Sequence, residues 1–215
     1  GNPHKIKPQS HKFSVAYIPR KAFRTKKLGM DILMGVAVNG IPFDPIAAEF
    51  YLGNHKGWQY NALGGAIPLG LDANYAHVQP SGAYHYHGLP VGLMQELGWQ
   101  AGRPSPLIGY AADGFPIFAM TAKVDGKVKR MRSSYRLKPG NRPGGSKPSG
   151  PHDGSFINDY EYVRGAGDLD ACNGVKVTTP DYPNGVYAYF LTRKLPVVPR
   201  CLVGKIGKGF KRARR

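Results

Sequence analysis

Three of the chain's seven histidines fall within eleven residues, in the stretch Ala73-Asn74-Tyr75-Ala76-His77-Val78-Gln79-Pro80-Ser81-Gly82-Ala83-Tyr84-His85-Tyr86-His87-Gly88. Aromatics favour strands, and successive side chains of a strand point to opposite faces, so His85 and His87 share one face at a spacing of roughly 6.6–6.8 Å. Pro80-Ser81-Gly82 is a turn signal that can bring His77 back as a third ligand. Neutral imidazoles suit copper, zinc, iron or nickel. Three histidines leave at least one coordination position open, as catalytic metal sites do. Copper there could cycle between oxidation states, whereas zinc would acidify a bound water. The competing reading is an ordinary His-x-His pair, one ring bonded to backbone and one solvated. Tyr84 and Tyr86 point the other way, to pack in the core or to act as outer-sphere groups. Asp72 either holds an imidazole's second nitrogen or caps a loop.

Two further groups could do chemistry. Asp168-x-Asp170-x-x-Asn173-Gly174 gathers three oxygen-bearing side chains before a glycine, which reads either as a calcium site or as a hydrogen-bonded Asx-rich turn. It lacks the EF-hand pattern. Cys172 and Cys201 are 29 positions apart and form either one disulfide or two buried thiols. A bridge between them would stabilise by roughly 3–4 kcal/mol. Glu49, Asp72 and Asp113 are candidate general bases, with no spacing that selects one. The sequence carries no nucleophile elbow, phosphate-binding glycine loop, haem-attachment motif or paired-carboxylate signature.

Asn39-Gly40-Ile41-Pro42-Phe43-Asp44-Pro45, Ala76-His77-Val78-Gln79-Pro80, Gly82-Ala83-Tyr84-His85-Tyr86-His87, Asp113-Gly114-Phe115-Pro116-Ile117 and Gly167-Asp168-Leu169-Asp170-Ala171-Cys172-Asn173-Gly174 together resemble the YHYH domain family over roughly residues 30–200. That resemblance implies a mostly bacterial, exported domain, secreted or periplasmic, with metal binding and copper as the leading ion. His152 departs from the family pattern, which tends to have Tyr before Asp-Gly, and no role is carried onto it.

The charge lies away from the histidines. Of 30 basic residues, 24 fall in three segments: eight in 1–30, nine in 123–147 and seven in 200–215. Residues 31–122 hold only Lys56 and Arg103 against six acids. The division expected is a basic N-terminal segment 1–30, a single domain 31–200 and a basic C-terminal tail 201–215, solvated or adhering to polyanionic surfaces. Sequence-specific nucleic-acid reading is not expected, because it needs aromatics interleaved with basic residues in a strand pattern. No run of about 18 apolar residues predicts a membrane span. No apolar stretch of about 7–15 residues marks a signal peptide, so the chain reads as a mature or trimmed form.

The elements that must position these residues are predominantly β. Gly (29) and Pro (19) make about 22% of the chain but are scattered among 13 Tyr, 9 Phe and many aliphatics, which predicts a packed, loop-rich fold. Phe13–Ile18 is a strand candidate ended by Pro19, followed by a basic surface loop to Lys27. Leu33–Val38 enters the turn Asn39-Gly40, and Leu107–Ala111 pairs through Asp113-Gly114 with Phe115–Met120. Val124-Asp125-Gly126 is a third turn, and Val186–Leu191 an aromatic-rich strand. Asp44 and Pro45 open a short helix over Ile46–Leu52, and Val91–Leu97 forms another before Gly98. Ser133–Gly154 reads as one long loop. The class expected is a mainly β domain, an antiparallel β-sandwich or barrel-like core with short helices and long loops. With copper, or alternatively zinc or iron, at the histidines, the function expected is a redox-active metal protein with a redox partner, or a non-catalytic metal-holding or adhesion module.

Overall fold

A computed structural model describes residues 2–212. Its strands are β1 Lys21–Lys27, β2 Gly35–Ala37, β3 Pro42–Phe43, β4 Ala76–Val78, β5 Tyr84–Tyr86, β6 Leu107–Ala111, β7 Pro116–Ala119, β8 Thr121–Val124, β9 Lys127–Arg130, β10 Tyr135–Leu137, β11 Tyr160–Tyr162, β12 Gly174–Thr179, β13 Tyr182–Leu191 and β14 Cys201–Gly204. One short helix, α1 Val91–Glu96, follows β5. The described residues are mainly β and form no closed barrel. Eight strands form one sheet in the order β12-β13-β7-β6-β2-β3-β5-β4, and β1 with β14, β8 with β9 and β10 with β11 form two-stranded ribbons.

Turn chemistry explains the local pairings. Gly40 (φ +84°) and Gly114 (φ +88°) adopt the left-handed region that lets Asn39-Gly40 and Asp113-Gly114 close β2–β3 and β6–β7. At Asp125-Gly126 both residues have positive φ, which matches the twist of the β8–β9 hairpin. Gly109 serves a different need. A Cβ there would stand 2.3 Å from the Val36 carbonyl oxygen, so β6 approaches β2 only because the side chain is absent.

The central strands are buried on both faces, which accounts for their near-continuous apolar runs. Ile117, Ala119, Tyr187, Tyr189 and Leu191 join the larger core with Phe43, Met34, Ile108 and Leu202. The alternate residues Phe118, Ala188 and Phe190 face a second cluster with Ala122, Met131, Leu169 and Val177. This two-layered burial is consistent with a β-sandwich. Five neighbouring pairs in the large sheet are antiparallel, but β13–β7 and β3–β5 are parallel, so the sheet is mixed.

Several local expectations are corrected. The stretch Phe13–Ile18 makes only a single bridge, Ser14 to Lys208, and the basic segment expected as a loop is strand β1, paired with β14. No helix forms over Ile46–Leu52. Phe50 bridges to Gln59 instead, and one 3₁₀ turn spans Tyr51–Gly53. The Ser133–Gly154 stretch contains β10 and is anchored by Arg142, whose guanidinium donates to Asp153 and, at 2.8 and 2.7 Å, to the fully buried Asp159. Residues 201–212 are not a solvated tail. They supply β14, a bridge from Ile32 to Lys211, and Phe210, which is fully buried and stacks on Phe13 at 4.5 Å. Burying such a ring contributes roughly 1.5–3 kcal/mol. Arg214 and Arg215 lie outside the described residues.

Candidate metal centre

The histidine-bearing ribbon is built by its turn. Gly82 donates its N–H to the Gln79 carbonyl (2.8 Å) and Gln79 donates to Ala83 (2.9 Å), enclosing the loop Pro80-Ser81-Gly82. Pro80 presets its φ and Gly82 takes φ +85°, the arrangement of a three-residue hairpin loop with a left-handed glycine. This fixes the register of β4 on β5, with His77 directly opposite His85 and Ala76 opposite Tyr86. Since side chains directly opposite in a ladder share a face, His77 joins His85 and His87 on one side. The His87 N–H, just past β5, donates to the Tyr75 carbonyl at 2.8 Å and holds the last histidine in line.

The three rings meet through their Nε2 atoms. His85 Nε2 lies 2.9 Å from His87 Nε2, and His87 Nε2 lies 3.2 Å from His77 Nε2. Among the described residues these are the one group of three or more His, Cys, Asp or Glu side chains placed to hold an ion. His85 and His87 are buried, at 3% and 4% exposure, and His77 is half-buried. Burial holds both inner rings neutral: the His85 pKa is pulled down to about 4, with Asp44 opposing the shift, and that of His87 well below its usual value, with His85 and His77 adding repulsion.

The donor set fits a metal ion. His77 Nδ1 lies 2.7 Å from the Leu69 carbonyl oxygen, which fixes the proton on Nδ1 and leaves the Nε2 lone pair free. His85 Nδ1 has a longer approach, 3.4 Å, to the Ala83 carbonyl, and His87 Nδ1 is buried without a hydrogen-bond partner among the described residues. With all three protons on Nδ1, the Nε2 lone pairs would face one another, an arrangement that a bound cation would relieve. Nitrogen ligands at 2.0–2.1 Å from a tetrahedral ion stand about 3.3 Å apart. The two separations through His87, 2.9 and 3.2 Å, are within a few tenths of an ångström of that, and the three ligand atoms all lie within 4.8 Å of one another.

The other predicted residues take different places. Tyr86 is buried against Phe43 (ring centroids 5.5 Å) and its hydroxyl accepts from Asn39 Nδ2, while Tyr84 donates to Asp72 Oδ2 at 2.5 Å. Asp72 is therefore a loop cap. Its Oδ1 accepts from the N–H groups of Asn74 and Ala76, and among the described residues it makes no hydrogen bond to an imidazole. Asp168 pairs with Lys129 at 2.8 Å and Arg132 at 3.4 Å. Asp170 Oδ1 accepts from the N–H groups of Cys172 and Gly174, and both its oxygens accept from the Tyr187 hydroxyl. Asn173 donates to the Phe190 and Pro196 carbonyls and to Thr192. These bonds occupy the carboxylates that the calcium reading needs and make the stretch an Asx-rich turn. Cys172 and Cys201 are bonded, with Cα atoms 5.0 Å apart. Of the candidate bases, Glu49 is exposed, and Asp113 is buried under Tyr189 and the Gly204 N–H, separated from the histidine ribbon by β2 and β3.

Four neighbours of the site, Asp44, Arg212, Arg200 and Asn2, were not expected from sequence. Asp44, 2% exposed, accepts from Arg212 across 168 residues of chain. Arg200 donates to the Pro45 carbonyl at 2.8 Å, and burial lowers its pKa to about 10, with Asp44 opposing. The Asn2 side-chain amide lies 3.2 Å from His77 Nδ1. The Asp-Pro signal at residues 44–45 was visible but served a turn, in which Asp44 Oδ1 accepts from Ile46 N–H at 3.3 Å.

Fold and centre together define a mainly β protein that presents three histidines from one sheet edge. The chain belongs to the YHYH protein family, whose profile matches residues 12–204. No curated protein and no solved structure matches it. No helix among the described residues is long and apolar enough to cross a membrane.

Proposed function

We propose that this chain is an extracytoplasmic metal-binding protein whose His77, His85 and His87 hold one ion, with copper favoured and redox cycling as its activity. The observation that carries the reading is the convergence of three Nε2 atoms on one point within a buried sheet edge. An all-imidazole donor set with no thiolate or carboxylate suits copper, which also stands highest in the divalent affinity order. Both cysteines being in a disulfide agrees with an oxidising compartment. The hydrolytic zinc alternative lacks a base, since Asp72 and Asp44 are both engaged elsewhere.

The enclosure of the site favours a second reading for the same residues. With two rings buried and the third half-buried, little of the centre faces solvent, as suits an ion that is stored or that braces the fold. Titration of stripped protein with Cu(II), read by electron paramagnetic resonance, tests the shared claim. A nitrogen-coupled signal that disappears in the His85→Ala/His87→Ala variant supports it. Absence of specific uptake of copper, zinc, iron and nickel alike overturns it. Ascorbate reduction followed by reoxidation in air at a steady rate then favours redox activity, whereas a raised melting temperature with no turnover favours storage or bracing.

A further inference from the structure

The N-terminal thirty residues present an apolar surface that the histidine site does not use. Half of the large hydrophobic side chains exposed among the described residues lie there: Ile6, Val15, Tyr17, Ile18, Phe23 and Met30. Tyr17 and Phe23 are each 98% exposed and Ile18 71%. The backbone is anchored on either side of these side chains. Strand β1 pairs with β14 at Lys21, Lys26 and Lys27, flanking a bulge that carries Phe23, Ser14 is bridged to Lys208, and the Ala16 carbonyl and Pro19 ring rest against the Asp113-Gly114 turn. Tyr17, Ile18 and Phe23 fall within seven residues of chain, and large apolar groups concentrated in one exposed, anchored segment suit a docking surface.

The surrounding charge selects the partner. Residues 1–30 hold eight Lys or Arg and no acid, and Lys205, Lys208 and Lys211 add exposed cations from the paired segment. Lys21 is laid over the Tyr187 ring, at 3.9 Å, and Asp31 is the acid that closes the segment. We infer that this face docks on an anionic lipid surface, with Tyr17, Ile18 and Phe23 entering the headgroup region and Arg20, Arg24, Lys26 and Lys27 contacting lipid phosphates and carboxylates. A single-stranded nucleic acid would want a basic groove with aromatic faces on which bases stack. Here all seven residues of β1 are exposed, a ridge and not a groove, and Ile18 offers no stacking face.

The test is co-sedimentation with vesicles of phosphatidylcholine alone and with about 30% phosphatidylserine, for the parent chain and a Tyr17→Ser/Ile18→Ser/Phe23→Ser variant. All three positions are exposed, so the variant keeps its fold. Binding to the anionic vesicles at least about tenfold tighter than to neutral ones is expected, with about a hundredfold loss in the variant, whose cations are intact. A Phe23→Trp variant shows a blue-shifted emission on the anionic vesicles. Equal binding by the triple-serine variant, or an unshifted tryptophan, overturns the inference. So does tighter binding of an oligothymidylate that the same variant loses, which would assign the ridge to single strands instead.

Discussion

The histidine ribbon and the Asp168–Asn173 turn are both clusters of ligand-type side chains set by a tight backbone, yet they end in opposite states. In the turn, Asp170 holds two backbone N–H groups and the Tyr187 hydroxyl, Asp168 holds Lys129 and Arg132, and the neighbouring Cys172 is tied to Cys201. In the ribbon, His77 Nδ1 is engaged by Leu69, while the Nε2 atoms of the three rings have only one another as hydrogen-bonding neighbours among the described residues. Residue type and spacing nominated both. What separates a ligand site from a structural knot is whether lone pairs remain after the local backbone has been satisfied.

Five measurements would break or sharpen that contrast. The largest effect belongs to the ribbon: His85→Ala/His87→Ala lowers Cu(II) affinity by about three orders of magnitude, or about 4 kcal/mol, in a competition titration. Retained affinity would remove the distinction altogether. Cys172→Ser/Cys201→Ser lowers stability by about 3–4 kcal/mol in urea unfolding, because the 29-residue loop regains its freedom in the unfolded chain, and leaves copper affinity unchanged. Asp170→Ala costs about 2 kcal/mol by leaving two N–H groups and a tyrosine without their acceptor. The parent's melting temperature does not respond to calcium; a calcium-dependent rise would return the turn to the ligand class.

The smallest effect is on Asp168. Burial pushes its carboxyl pKa up, but the bonds from Lys129 and the Arg132 N–H outweigh this, and the net shift is downward. A carboxyl depressed on folding stabilises above its unfolded pKa, about 3.9, and that contribution fades as pH falls through the folded value. Lys129 and Arg132 are well exposed, so solvent screening holds the gain to about 0.5–1 kcal/mol. Urea unfolding of Asp168→Asn should therefore show a gap from the parent at pH 6 that shrinks as the pH is lowered below about 3.9.

Legibility in the sequence followed the range of the interaction. The His85/His87 face, the Pro80–Gly82 turn and the hairpins at Asn39-Gly40 and Asp113-Gly114 are decided within a few residues, by period-two alternation and left-handed turn positions. The parallel pairs β13–β7 and β3–β5 depend on strands far apart in the chain and leave no local mark. Strand β1 was hidden for a related reason. All of its residues are exposed, so it shows no apolar alternation, and its partner lies at the other end of the domain. The helix expected over Ile46–Leu52 had a cap and a proline in the right places, but Asp44 turns to Arg212 and Phe50 pairs with Gln59, so tertiary contacts override the pattern. Arg200 and Arg212 reach the neighbourhood of the histidines for the same reason, from a segment whose charge alone suggested solvent.

The pairing of β1 with β14 also sets a clock on the chain's birth. Strand β1 ends at Lys27 and its partner begins at Cys201, so ribosomal elongation at about 5–20 residues per second leaves the first strand unmatched for roughly 10–35 s. Until the last segment emerges, Phe210 cannot enter the core and Cys172 has no thiol to meet. A nascent chain arrested before Cys201 should thus remain open to protease along residues 21–27, and completion of the final dozen described residues should close that window in one cooperative step.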